Sequence, residues 1–153
     1  ALARLNEAFK SKEKVQKTYW ALVKNKPAKS QDTLTNYLKK NEKNNKSYVV
    51  SRDTKGAKQA TLEYKLLSSS DNFHLLEVML HTGRHHQIRV QLANIGCPIK
   101  GDLKYGYPRS NPDAGISLHA RKLKLVHPVS KDNIELVAPV PKDKLWKFFE
   151  RNV

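Results

Sequence analysis

Residues 80 to 102 read LHTGRHHQIRVQLANIGCPIKGD. Two arginines, three histidines and two glutamines crowd beside an apolar helical pattern. Such density suits a metal site, an anion site, or a catalytic site acting on a polyanion. Gly83 permits a tight turn, and a helix is expected from about His85 to Ile95. Ile88, Leu92 and Ile95 stand at i, i+4 and i+7 and mark its buried face. Gly96 is placed to cap it in the left-handed region, with Pro98 two residues later. The start of a helix offers unpaired N–H groups and a positive dipole end. Arg84 falls at that terminus, and Arg89 lies one turn inside, on the side of His85 and His86. The arrangement fits phosphate or carboxylate binding. Metal binding fits poorly. Adjacent His85 and His86 diverge by about 100° on a helix, His81 precedes the turn, and no CxxC or HExxH spacing occurs. Cys97, with no activating neighbours, reads as a small buried thiol. No G-x-S-x-G elbow is present.

The elements that must position these residues are legible around them. KTYWALV, 17–23, reads as a strand and Lys24 to Ser30, with Pro27, as a turn. DTLTNYLKKNEKNNKS, 32–47, reads as a short helical turn passing into a solvated Asn/Lys loop. In 57–69, Ala60, Leu62, Tyr64 and Leu66 alternate onto one strand face. SSDN turns the chain, and FHLLEVMLHTG returns as the second strand of an antiparallel hairpin. ISLHARKLKLVHP and DNIELVAP add strands, and KDKLWKFFERN closes as an amphipathic helix. A helix is also expected at the opening, on Leu2, Leu5 and Phe9. Because that helix starts uncapped at Ala1, the chain is expected to be cut from a longer one. The sum is a single α+β domain with a mixed, largely antiparallel sheet and flanking helices.

Composition narrows the partners. At 39% hydrophobic residues over 153 positions, the chain can bury one core. No apolar run approaches the roughly 20 residues of a membrane span, and no signal peptide opens the chain. The single cysteine excludes an internal disulfide framework and fits a reducing compartment, so a cytoplasmic location is expected. The net charge is +15, and residues 1–60 alone hold fifteen basic and five acidic side chains. That excess points to nucleic acid, with no membrane partner.

The stretch LLEVMLHTGRHHQIRVQLANIGCPIKGDLKYG resembles the TGR-x-HQIR-V and G-x-P-I-x-GD-x-x-YG motifs of the RluA-type pseudouridine synthases. KTYWALV is similar to that family's K-x-Y-x-A-L-V motif, and ISLHARKLKLVHPVS with LVAPVP to its L-HA and HP segments. The match runs in order from Lys17 to Pro141. It implies isomerisation of a specific uridine in structured ribosomal or transfer RNA to pseudouridine, by a monomer, with no metal or organic cofactor. By motif position Tyr19 would stack on the base and help remove the C5 proton. Arg89 would pair with the catalytic aspartate, and Leu118 would line the uracil pocket. Lys17, Arg84, His86 and Gln87 would support the site or touch RNA. Gln91 stands where the family commonly has histidine. The family's HRLD motif, which carries the nucleophilic aspartate, does not occur in residues 1–153. The resemblance therefore implies a partial catalytic domain, inactive alone, whose aspartate lies upstream. Asp102, in KGDLKYG, matches the family's GD and is expected to shape a turn and pocket wall. The competing reading is a basic RNA-binding domain without catalysis.

Overall fold

The structure, a computed structural model, describes residues 15–127 and 129–153. The expected opening helix on Leu2, Leu5 and Phe9 lies outside the described residues. Seven strands form one sheet: β1 (Val15–Val23), β2 (Gln31–Asn41), β3 (Lys46–Val50), β4 (Lys58–Ser69), β5 (His74–Leu80), β6 (Leu118–Val126) and β7 (Asn133–Val137). Their spatial order is β3-β2-β4-β5-β1-β6-β7. Every pairing is antiparallel, so the sheet carries no parallel element among the described residues. Among the described residues two α-helices flank it, α1 (Gln87–Asn94) and α2 (Lys144–Arg151).

The pleat sorts side chains to two cores. On one face Ala21, Val23, Leu62, Tyr64, Leu76 and Val78 pack under Ile88 and Leu92 of α1. On the other, Trp20, Leu22 and Leu75 pack under Trp146 and Phe149 of α2. Asp143 caps α2, its carboxylate accepting from the N–H groups of Leu145 at 2.8 Å and Trp146 at 3.3 Å. The expected Gly96 cap is present: φ is +83°, Gly96 N–H donates to Ala93 O, and Cys97 N–H reaches back to Leu92 O.

Against expectation, α1 begins at Gln87 rather than about His85, so His85 and His86 stack instead of diverging on it. A second expectation also fails. Residues 32–47 form no helical turn; they complete β2, a tight turn and the start of β3. Leu34 and Leu38, four apart, satisfy a helical period and a strand period equally. Pairing decides the matter, since β2 is hydrogen-bonded to β4 from Gln31 to Leu38 and to β3 from Tyr37 to Asn41. Asn45, at φ 51°, turns the chain between β2 and β3, a conformation asparagine tolerates.

Candidate active site

Two groups of side chains flank the chemistry implied by the sequence, both associated with the α1 face of the sheet. The first gathers around the start of α1. Arg89 donates from Nε to Asp102 Oδ2 at 2.9 Å and from Nη2 to Oδ1 at 2.8 Å. This is a bidentate pair, with the arginine side chain 20% exposed and the aspartate fully buried. The pairing pushes the Arg89 guanidinium pKa up, so it stays charged. Nη1 lies 3.1 Å from His86 Nε2, which must therefore accept. Nδ1 of His86 then carries the ring proton and donates to Tyr105 Oη at 2.8 Å. Tyr105 Oη also accepts the N–H of Ser47 at 2.9 Å, and the Arg89 guanidinium lies 5.0 Å from the Tyr105 ring. Burial first, and then the charge of Arg89, lower the His86 pKa from 6.5 to about 4. His86 is neutral at physiological pH, as its acceptor role requires. His85 stacks on it, centroids 3.7 Å apart, and shares a 2.8 Å hydrogen bond with Ser47 Oγ.

This geometry depends on local backbone. His86 sits at the N-cap of α1 with φ 53°, left-handed for a non-glycine, and its side chain makes no cap bond. Gln87 holds the turn before the helix. Its Oε1 accepts from Thr82 Oγ1 at 2.7 Å and from Arg84 N–H at 2.9 Å, and its Nε2 donates to Thr61 O at 3.0 Å. Arg84 leaves this network, donating from Nε to Gln59 O with its side chain exposed. Asp102 is fixed from the other end. Gly101 has φ +87°, and a Cβ there would come within 2.7 Å of Gly115 O and 2.5 Å of Asn111 Nδ2. Only glycine lets the chain pass so close before Asp102.

The second group lies on β1 and β6. Tyr19 is opposite Ala120, and Ala21 is opposite Leu118, so Tyr19 and Leu118 share the α1 face. Both pack against the core beneath α1. A register shift at Thr18/Tyr19 gives β6 one extra residue there, Arg121. Arg121 turns to the opposite face, stacks 4.3 Å from the Trp20 ring and pairs with Glu150 at 3.2 Å. Beside Tyr19 opens a cavity of about 410 Å³, lined by Lys17, Tyr19, Ala120, Leu123 and Leu136 among others. Leu118 is not among its lining residues.

The structure thus unites His86, Gln87, Arg89 and Asp102 around α1, and Lys17 with Tyr19 at the cavity. No hydrogen bond or ring contact among the described residues links Tyr19 to Arg89. The carboxylate that Arg89 holds here is Asp102, which is fully engaged and closed to solvent. Ser47 and Tyr105 carry no role in the sequence reading, yet they anchor the cluster. The only signal was Tyr105 in the YG motif; nothing marked Ser47. Cys97 is buried as expected, and burial raises its thiol pKa. Among the described residues no three histidine, cysteine, aspartate or glutamate side chains are grouped to hold a metal. No described helix is long and apolar enough to cross a membrane.

An antiparallel sheet with this helix placement defines a known class of domain. A human RNA pseudouridylate synthase domain containing 4 structure superposes with a TM-score of 0.75 at 26% identity, covering 96% of this chain and 66% of that one. Residues 1–94 match the profile of the RNA pseudouridylate synthase family. The chain belongs to that family. It is 36% identical over 143 residues to an uncharacterized RNA pseudouridine synthase of Synechocystis, covering 92% of this chain and 44% of that protein. It is also 36% identical over 140 residues to ribosomal large subunit pseudouridine synthase C of Rickettsia prowazekii, covering 90% and 46%. The chain spans less than half the length of these curated relatives.

Proposed function

We propose that this chain is the larger part of the catalytic domain of an RNA pseudouridine synthase, acting on a uridine of structured ribosomal or transfer RNA. One observation carries the reading. Tyr19, at the family's tyrosine position, borders an open cavity on the same sheet face that α1 covers, and a cavity of about 410 Å³ has room for an extruded base. Ribosomal RNA as the substrate class draws on the name of the Rickettsia relative.

The reaction is an isomerisation and balances without a cofactor. The bond from ribose C1′ to uracil N1 breaks, the ring turns, and C1′ bonds to C5. C5 loses its proton, and N1 gains one. Extruding the base costs a few kcal/mol. Stacking on Tyr19 returns about 1–3 kcal/mol of that. The Tyr19 hydroxyl is the group assigned to the C5 proton; Leu118, on the same sheet face, packs against the core beneath α1 outside the cavity lining. Lys17, at the cavity, and Arg84, exposed at the turn, are assigned to phosphates. Asp102 is assigned as the anchor of Arg89. Its buried, bidentate engagement argues against a second role as nucleophile. The nucleophilic carboxylate is assigned to sequence outside residues 1–153.

The test is tritium release from RNA carrying 5-tritiated uridine, with the full-length protein and with residues 1–153 alone, each in EDTA. Release by the full-length protein and none by the 153-residue chain is expected. Multiple turnovers by residues 1–153 alone would place the nucleophile within them. No release by the full-length protein from any RNA it binds would favour a binding domain without catalysis.

A further inference from the structure

Away from the cavity, the β3–β2–β4 end of the sheet has a bare face. Leu34, Leu38 and Ala60 turn inward. Tyr37 and Lys39 of β2 alternate to the opposite face, where none of the α2 core residues lies. Tyr37 pairs with Val50 and Lys39 with Tyr48, so Tyr37 and Tyr48 are diagonal neighbours on adjacent strands. Tyr48 is 39% exposed on the edge strand. Lys46 Nζ stands 5.3 Å from its ring centre, and Asn44 Nδ2 donates to its hydroxyl at 2.8 Å. Lys39 runs toward Gly56 in the turn that carries Arg52 and Lys55. Residues 37–58 hold seven basic and two acidic side chains, and one acid, Glu42, is paired with Lys40 at 3.5 Å.

We infer that this face is a second RNA-binding surface, a platform on which a single-stranded segment of the substrate lays its bases across Tyr37 and Tyr48 while Lys39, Lys46, Arg52 and Lys55 meet its phosphates. The inference rests on RNA being the substrate. Its site lies on the sheet face opposite Tyr19 and takes no part in the assigned chemistry, although Lys46 Nζ at the sheet edge also stands 5.4 Å from the Tyr105 ring centre. Aromatic rings on neighbouring strands of an open sheet accept any base by its π-face, and cations beside the rings follow the backbone. A protein partner fits less well. The segment is strongly basic, and Tyr48 stands between Lys39 across the strand pair and Lys46, while Tyr37 is flanked by Val50 and Gln59, too little apolar surface for a protein interface core.

The test uses the full-length protein, fluorescently labelled uridine-rich single-stranded RNA and an RNA duplex of equal length. Tyr48→Phe keeps the ring and is expected to bind as wild type. Tyr48→Leu keeps apolar bulk on the edge and is expected to weaken single-strand binding about tenfold. Lys39→Gln with Lys46→Gln is expected to flatten the log–log salt slope by about 0.7 for each phosphate no longer neutralised. Thermal melts check that each variant is folded. Equal single-strand affinity for Tyr48→Leu and wild type would overturn the platform. Tighter binding of the duplex, weakened equally in Tyr48→Leu, would replace stacking with recognition of helical shape. Failure of the unaltered protein to bind either RNA would instead remove the RNA reading itself.

Discussion

The start of α1 and the cavity beside Tyr19 differ in almost every physical respect. Around α1, Arg89, Asp102, His86, Tyr105 and Ser47 satisfy one another across a partly buried network. At the cavity, β6 and β7 leave apolar side chains open, Leu136 at 55% exposure and Val137 at 49%. The first region has its polar groups paired in place; the second has room. The residues densest in chemistry are here engaged with one another. The α1 cluster reads as a pre-formed scaffold that fixes backbone and charge, and the substrate is expected where the sheet is bare.

That contrast can be broken most sharply at Tyr19. In the full-length protein, Tyr19→Phe is expected to lower tritium release by about 10²–10⁴-fold, the usual scale for a missing proton-transfer group. RNA affinity and unfolding midpoint should stay near wild type. An unfolding midpoint that falls with activity would make Tyr19 a core residue rather than a catalytic one. The reverse pattern is expected at Arg89. Arg89→Ala leaves Asp102 buried without its partner and should cost about 3–5 kcal/mol in urea unfolding. A change under about 1 kcal/mol, the scale of an exposed pair, would mean that water reaches Asp102 readily and that the cluster is no scaffold.

Gln87→Ala should cost less, about 1–3 kcal/mol, because it removes one buried side chain that satisfies Thr82, Arg84 and Thr61. Proteolysis within 81–86 should accelerate in the same variant; unchanged cleavage would show that the turn is held by other interactions. The smallest effect concerns pH. His86 titrates near 4 in the folded chain and at 6.5 when unfolded. The unfolded chain therefore takes up its proton first as pH falls. The stabilisation is present in full above pH 6.5, declines progressively from 6.5 to about 4, and levels below that. His85 and His74, whose pKa values are also lowered by burial, add to the slope in the same direction. His86→Asn, which tolerates the left-handed backbone, should flatten the dependence of the urea midpoint across that window. An unaltered slope would show that His86 titrates normally.

Local patterns made most elements legible. Alternation in 60–66 depends only on which face of a pleat meets the core, the strand at 17–23 only on its run of aromatic and apolar side chains, and the stop after α1 only on Gly96 and its neighbours. The TGR-HQIR run announced a site because its residue types are costly to place without reason. The β2–β3 hairpin was missed because Leu34 and Leu38 fit two periods and their pairing partners are remote. Hydrogen-bond partners were missed in the same way. Asp102 meets Arg89 across 13 residues, and Ser47 meets Tyr105 across 58. By itself the sequence determined the inward face of β4, the cap of α1 and the crowding of polar side chains at 80–102. The tertiary structure alone decided that Arg89 is held by Asp102, that Ser47 and Tyr105 brace His86, and that a cavity opens beside Tyr19. Those outcomes depend on hydrogen bonds and empty volume between segments far apart in the chain, and no local periodicity encodes them.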